Sequence, residues 1–151
     1  MPDDRRYFED LTVGETHDCG SIEVTREEML DFAERYDPQP IHVDPAAASE
    51  SMFGGLVASG WLTCALSARL LVQGYMNDTA SLGGRGMDDV RWHAPVYPDT
   101  TLSVTVELVE KHAGENPAFG HTRVTVTTTG GEGETVLTMD GLGIVAKRDG
   151  R

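Results

Sequence analysis

The chain has 151 residues, 39% of them hydrophobic, and a formal net charge of −13 at pH 7. That length sets the expectation of one domain, 1–151, with enough apolar residues for a core of its own. The negative balance argues against a nucleic-acid partner, and no segment approaches the roughly 18–20 apolar residues of a membrane span.

The first ten residues, MPDDRRYFED, lack the apolar core of a signal peptide. The expectation is a soluble, cytoplasmic protein with no membrane partner. Positive charge comes from ten arginines and only two lysines, Lys111 and Lys147, and the acids are spread along the chain. This composition resembles that of proteins adapted to high salt, where the Debye length shrinks to about 3 Å at 1 M. An ordinary acidic protein is the other reading. Cys19 and Cys64 form no CxxC pair, so two small buried apolar residues are expected rather than a disulfide. Asn77-Asp78-Thr79 fits a glycosylation pattern but is taken as a polar turn.

An N-terminal strand is placed near 16–24. Thr25-Arg26-Glu27-Glu28 has the form of a capping box, and Met29, Phe32 and Ala33 follow at helical spacing, giving a short amphipathic helix over 26–36. Pro38 and Pro40 end it, because residues before proline avoid the helical region. The stretch YDPQPIHVD, Tyr36 to Asp44, is therefore expected to be stiff and non-helical. Asp44-Pro45 starts a second helix, about 45–52, with Asp as N-cap and Pro at the first position; Gly54-Gly55 breaks it. Ser59 caps a third helix over 60–74, apolar nearly all round and so expected to be buried.

After residue 80 the period changes. Leu102, Val104, Val106 and Leu108 alternate with polar residues, the pattern of a half-buried strand. Strands are expected at about 82–94, 100–111, 119–129 and 134–147, separated by Gly and Pro clusters. The fold class is α+β: an antiparallel sheet wrapped around one long central helix. Its open edges invite pairing with a second copy, so a homodimer or higher homo-oligomer is expected.

Asp37 and His42 stand beside prolines that restrict the backbone and lower the entropy cost of a fixed geometry. On spacing alone two readings stay open. Asp37 caps a turn and His42 satisfies a backbone carbonyl, or the two together hold and activate a water. His17, His93, His112 and His121 show no metal-ligand spacing, and His93, beside Trp92, is taken as structural. No GxGxxG, Walker or GxSxG pattern occurs. Gly141-Leu142-Gly143 is read as a bulge rather than a phosphate cradle.

YDPQPIHVDPAAA followed by GGLVASGWLTCALSARLL resembles the MaoC-like dehydratase family, whose best-known members are (R)-specific enoyl-CoA hydratases. The resemblance runs from FEDLTVGE to the closing strands with APVYPDTTL. It implies a hot-dog fold and makes Asp37 and His42 the catalytic pair. They would activate a water for addition to a trans-2-enoyl thioester, or in reverse dehydrate an (R)-3-hydroxyacyl thioester. It also makes Gly60 the oxyanion-hole residue, its backbone N–H facing the thioester oxygen; tight packing is the other reading of this glycine. Coenzyme A thioester is then the substrate, with no cofactor and no metal.

The sequence departs from the family pattern in three places. Gln39 replaces an Asn, Tyr36 a small residue, and Ser59 the His that often precedes the helix glycine. Gln39 and Ser59 become candidate substrate contacts, with capping as the first role of Ser59. Arg85 and Arg91 are candidates for offsetting the carrier's phosphates, solvent-facing arginine being the alternative. Two further activities stay open: a hot-dog thioesterase, and a non-catalytic subunit that binds acyl-CoA or acyl carrier.

Overall fold

The structure is a computed structural model that describes residues 4–149. In chain order it contains β1 (Thr16–Val24), α1 (Arg26–Tyr36), α2 (Pro40–Val43), α3 (Pro45–Ser49), α4 (Gly60–Gly74), β2 (Ser81–Trp92), β3 (Thr100–His112), β4 (Phe119–Thr129) and β5 (Thr135–Ala146). The strands form one antiparallel sheet in the order β1-β3-β4-β5-β2. The expected strand at 16–24 becomes one edge and β2 the other.

The alternation in β3 and β4 decides which face meets α4. Leu102, Val104, Val106 and Leu108 of β3 are buried, as are Val124, Val126 and Thr128 of β4. They pack with Leu62, Leu66 and Leu70 of α4 and with Leu137, Met139 and Val145 of β5 in one core. Each such side chain contributes roughly 1.5–3 kcal/mol relative to exposure. Midway along the helix the Ser67 and Thr128 hydroxyls pair at 2.6 Å, fully buried between helix and sheet. On the opposite face Arg123 bonds Asp140 at 3.0 Å and Asp88 at 2.7 Å, joining β4 to β5 and β2. Both cysteines are free, Cys19 buried and Cys64 half-buried.

Local signals act as expected at the helix starts. Thr25 Oγ1 accepts from Glu28 N at 3.2 Å, and Asp44 Oδ1 accepts from Ala46 N and Ala47 N. Asn77 and Asp78 fall in a 3-10 turn, Met76–Asp78, after α4.

Four details differ from the sequence expectations. Residues 40–43 form a helical turn, α2, inside the stretch expected to be non-helical. Proline at the first position of a turn loses no hydrogen bond, since that N–H would be unpaired anyway. The helix after Asp44 stops at Ser49, short of 52, where the Ser51 hydroxyl takes the Ala48 carbonyl. Helix α4 is not buried all round: Trp61, Ala65, Arg69 and Val72 form an exposed stripe, Trp61 at 59%. The bulges near the expected Gly141-Leu142-Gly143 site lie instead in β2, between Ser81 and Gly83 and between Gly84 and Gly86. β5 itself keeps register with β4 there. Its glycines leave room for β4 side chains, since a Cβ at Gly143 would stand 2.9 Å from Thr122 Oγ1.

Candidate active site

The residues from α1 to α4 cross one end of the sheet and carry the polar groups. Asp37 ends α1, its N–H bonded to Ala33 O at 2.9 Å and its backbone at φ −154, ψ 68. The α2 turn then carries His42 inward, to 7% exposure. His42 Nδ1 lies 2.8 Å from Val57 O. A carbonyl only accepts, so Nδ1 carries the proton and, in the neutral ring, Nε2 presents a lone pair. Nε2 stands 3.5 Å from Asp37 Oδ2. That gap is too long for a strong direct bond and places both atoms within reach of one water.

The carboxylate is held at both oxygens. Gln39 Nε2 donates to Oδ1 at 2.7 Å and Ser59 Oγ donates to Oδ2 at 2.6 Å. Burial would push the Asp37 carboxyl up, but the Ser59 hydroxyl, the Gln39 amide and His42 together hold it below the usual carboxylate range.

Ser59 also shapes the start of α4. Its Oγ accepts from Trp61 N at 3.2 Å, and its carbonyl accepts from Leu62 N and Thr63 N at 3.0 and 3.2 Å. Of the N–H groups that a helix start leaves unpaired, those of Trp61 and Leu62 end on Ser59, and Thr63 N makes the first regular helical bond to it. The N–H of Gly60, the first helical residue, belongs to the same unpaired set, and Gly60 lines the cleft. The packing reading of this glycine also holds. A Cβ there would stand 2.5 Å from the Trp92 indole, whose Nε1 donates to Gly60 O at 3.0 Å.

The cleft has a volume of about 450 Å³ and brings together Asp37, Gln39, His42, Gly60, Trp92 and His93. Of the sequence candidates, Asp37, His42, Gly60 and Gln39 therefore meet in one place. Ser59 is 0% exposed and its only proton is spent on Asp37, so it is not a substrate contact. Arg85 and Arg91 do not line the cleft. Both are exposed on β2, and Arg91 Nη1 bonds Val90 O at 3.1 Å.

Sequence reasoning missed Trp92, and it did not place His93, taken as structural, at the cleft. The His93 ring holds Thr138 Oγ1 at 2.7 Å, a structural bond, yet it is exposed in the same cleft as His42. Their position where β2 leaves the sheet, next to Pro95, was the available signal. Among the described residues no group of three His, Cys, Asp or Glu side chains could hold a metal ion. No described helix is long and apolar enough to cross a membrane.

A smaller cavity of about 110 Å³ lies at the other end of α4, lined by Leu71, Tyr75, Met87, Leu142 and Val145. Its walls are apolar, and it contains none of the groups just described.

A family model for the MaoC-like domain matches residues 10–130. The uncharacterized protein YdeM of Bacillus subtilis is 34% identical over 110 residues, covering 72% of this chain and 77% of the relative. The 3-hydroxyacyl-thioester dehydratase Z of Mycobacterium tuberculosis is 36% identical over 110 residues, covering 72% and 71%. The crystal structure of a MaoC-like dehydratase from Rhodospirillum rubrum superposes with a TM-score of 0.86 at 32% identity, covering 94% of this chain and 97% of that one. A five-stranded antiparallel sheet around a central helix is the hot-dog fold, and with it the chain belongs to the MaoC-like dehydratase family.

Proposed function

We propose that the protein hydrates trans-2-enoyl-CoA to (R)-3-hydroxyacyl-CoA and catalyses the reverse dehydration. The observation that carries this reading is the bare Nε2 of His42, 3.5 Å from Asp37 Oδ2, in a cleft shared with the N–H end of α4. A water bonded to both groups points an oxygen lone pair at C3 of the enoyl chain. As the C–O bond forms, His42 Nε2 takes a proton from the water and Asp37 stabilises the imidazolium. The electron pair of the double bond moves toward the thioester oxygen, where the Gly60 N–H and the helix dipole meet the charge. His42 then returns the proton to C2, and the thioester stays intact. No cofactor enters the balance.

The protein acts as a homodimer in this reading. β2 is an open edge with exposed Leu82, Met87 and Trp92, and the α4 stripe with Trp61 and Val72 is exposed as well. An unpaired edge with apolar side chains suits a second copy.

The test follows loss of the conjugated enoyl absorbance of crotonyl-CoA, in low and multimolar salt, with Asp37→Asn and His42→Ala as controls. Loss that disappears in both variants supports the reading. Binding without turnover across a panel of longer and branched enoyl-CoAs would assign a binding subunit instead, and release of free thiol a thioesterase.

A further inference from the structure

Asp37 reaches the cleft from the end of a helix, followed by Pro38, so its backbone is set. Its carboxylate is not set by the backbone. Two side chains bind it, and they differ in kind. Gln39 is exposed, and water competes for its amide. Ser59 is 0% exposed, and its hydroxyl lies 2.6 Å from Oδ2, in the range of a charge-assisted O–H···O⁻ bond. The same hydroxyl accepts from Trp61 N, so its rotor is fixed by the helix it caps. Oδ2 is also the oxygen that faces His42.

We propose that Ser59 is the positioning residue of the pair: it ties Asp37 Oδ2 to the first turn of α4 and so holds the carboxylate against His42 and level with the Gly60 N–H. The assignment rests on the hydratase reading only for its consequence in catalysis; the tie itself is independent of the reaction. Ser59 thus acts through Asp37 and touches no substrate. Without the hydroxyl, the carboxylate keeps the solvent-exposed Gln39 bond and the longer approach to His42, and turns about its Cβ–Cγ bond. The Asp37 carboxyl, now held below the usual carboxylate range, then moves up toward it. The other titratable groups lining the cleft are His42 and His93, so their titration is followed in the same experiment.

The experiment uses the full chain, with the Asp37 carboxyl carbon assigned in NMR spectra by its loss in Asp37→Asn. Ser59→Ala and Ser59→Gly both remove the hydroxyl, and Gly keeps most of the capping strength. Ser59→Thr keeps the hydroxyl. In the absence of any thioester, the Asp37 titration should rise toward the usual carboxylate range in Ser59→Ala and Ser59→Gly, and stay near wild type in Ser59→Thr. With crotonyl-CoA, kcat should fall by about 10–100-fold in the first two while KM moves less than about threefold, and Ser59→Thr should restore most of it. An unchanged Asp37 titration in either folded variant overturns the assignment. A shifted titration in a protein whose wild type hydrates no enoyl thioester leaves the positioning role intact and removes the proposed reaction instead.

Discussion

The two ends of α4 are built from one helix and do different work. At the N-terminal end, Ser59 takes three backbone N–H groups and leaves that of Gly60 to a cleft of about 450 Å³ with Asp37 and His42. At the C-terminal end, Tyr75 N closes on Leu71 O and the neighbouring cavity of about 110 Å³ is apolar. Donors and a positive dipole end exist only at a helix start. A reaction that develops negative charge is therefore served at the first end and not at the second. The second end is closed by a different polar group. Arg6 Nη1 lies 2.6 Å from Glu15 Oε2, His17 Nε2 lies 2.7 Å from the same oxygen, and the His17 ring packs on Tyr75 at 5.3 Å.

The sharpest way to break this contrast is to remove the pair. Asp37→Asn and His42→Ala should each lower kcat/KM for crotonyl-CoA by about 10²–10⁴-fold. Steady-state kinetics decide it; a loss below about threefold in both would dissociate the cleft from the chemistry.

Matched glycine substitutions come next. A Cβ at Gly74 would stand 2.6 Å from Cys19 Cα, a backbone atom that cannot step aside, whereas a Cβ at Gly60 would stand 2.5 Å from an indole at a strand end. Gly74→Ala should cost about 1–3 kcal/mol of stability, with kcat/KM per folded molecule unchanged. Gly60→Ala should displace Trp92 and lower kcat/KM more than about tenfold at a smaller stability loss. Denaturant melts beside kinetics separate the two.

Between the ends, the Ser67–Thr128 pair joins helix and sheet inside the core. Ser67→Ala should cost about 1–3 kcal/mol by leaving the Thr128 hydroxyl unpaired. The double variant Ser67→Ala/Thr128→Val should recover much of that, as a double-mutant cycle would report.

The smallest effect is the acid response of the closed end. Burial would raise the Glu15 carboxyl, but Arg6, the Thr12 N–H and His17 hold it below its ordinary value. A depressed folded value means that the unfolded chain binds the proton more tightly. The stabilisation is present above the unfolded value, about 4.3, and is lost as pH falls through the folded one. Glu15→Gln should therefore destabilise near neutrality by roughly 1 kcal/mol and flatten the decline in stability below about pH 4. Tyr75, pushed up to about 12 chiefly by burial, should show no phenolate absorbance below about pH 10 in the folded protein.

These elements also show what the sequence made legible. Strand and helix positions followed from period and caps, since alternation in β3 and the Thr25, Asp44 and Ser59 caps are local facts. Flanking prolines drew attention to Asp37 and His42, and a helix start to Gly60, but spacing alone left their roles open and only the family resemblance suggested them. The α2 turn was hidden because proline both ends one helix and starts another. Trp92 and His93 were hidden because they reach the cleft from a distant strand. The places of Arg85 and Arg91 were not legible because charge complementarity names a residue type and not a place. The fate of the Ser59 hydroxyl depended on a contact 22 residues away in sequence.

The central claim is that the α4 start and the Asp37–His42 pair add water to an enoyl thioester. Its most direct test is the product formed from crotonyl-CoA in heavy water, resolved by chiral chromatography and mass. The account predicts (R)-3-hydroxybutyryl-CoA with deuterium at C2, an intact thioester, and no product from Asp37→Asn or His42→Ala. An (S) product, free coenzyme A, or full turnover in both variants would contradict it.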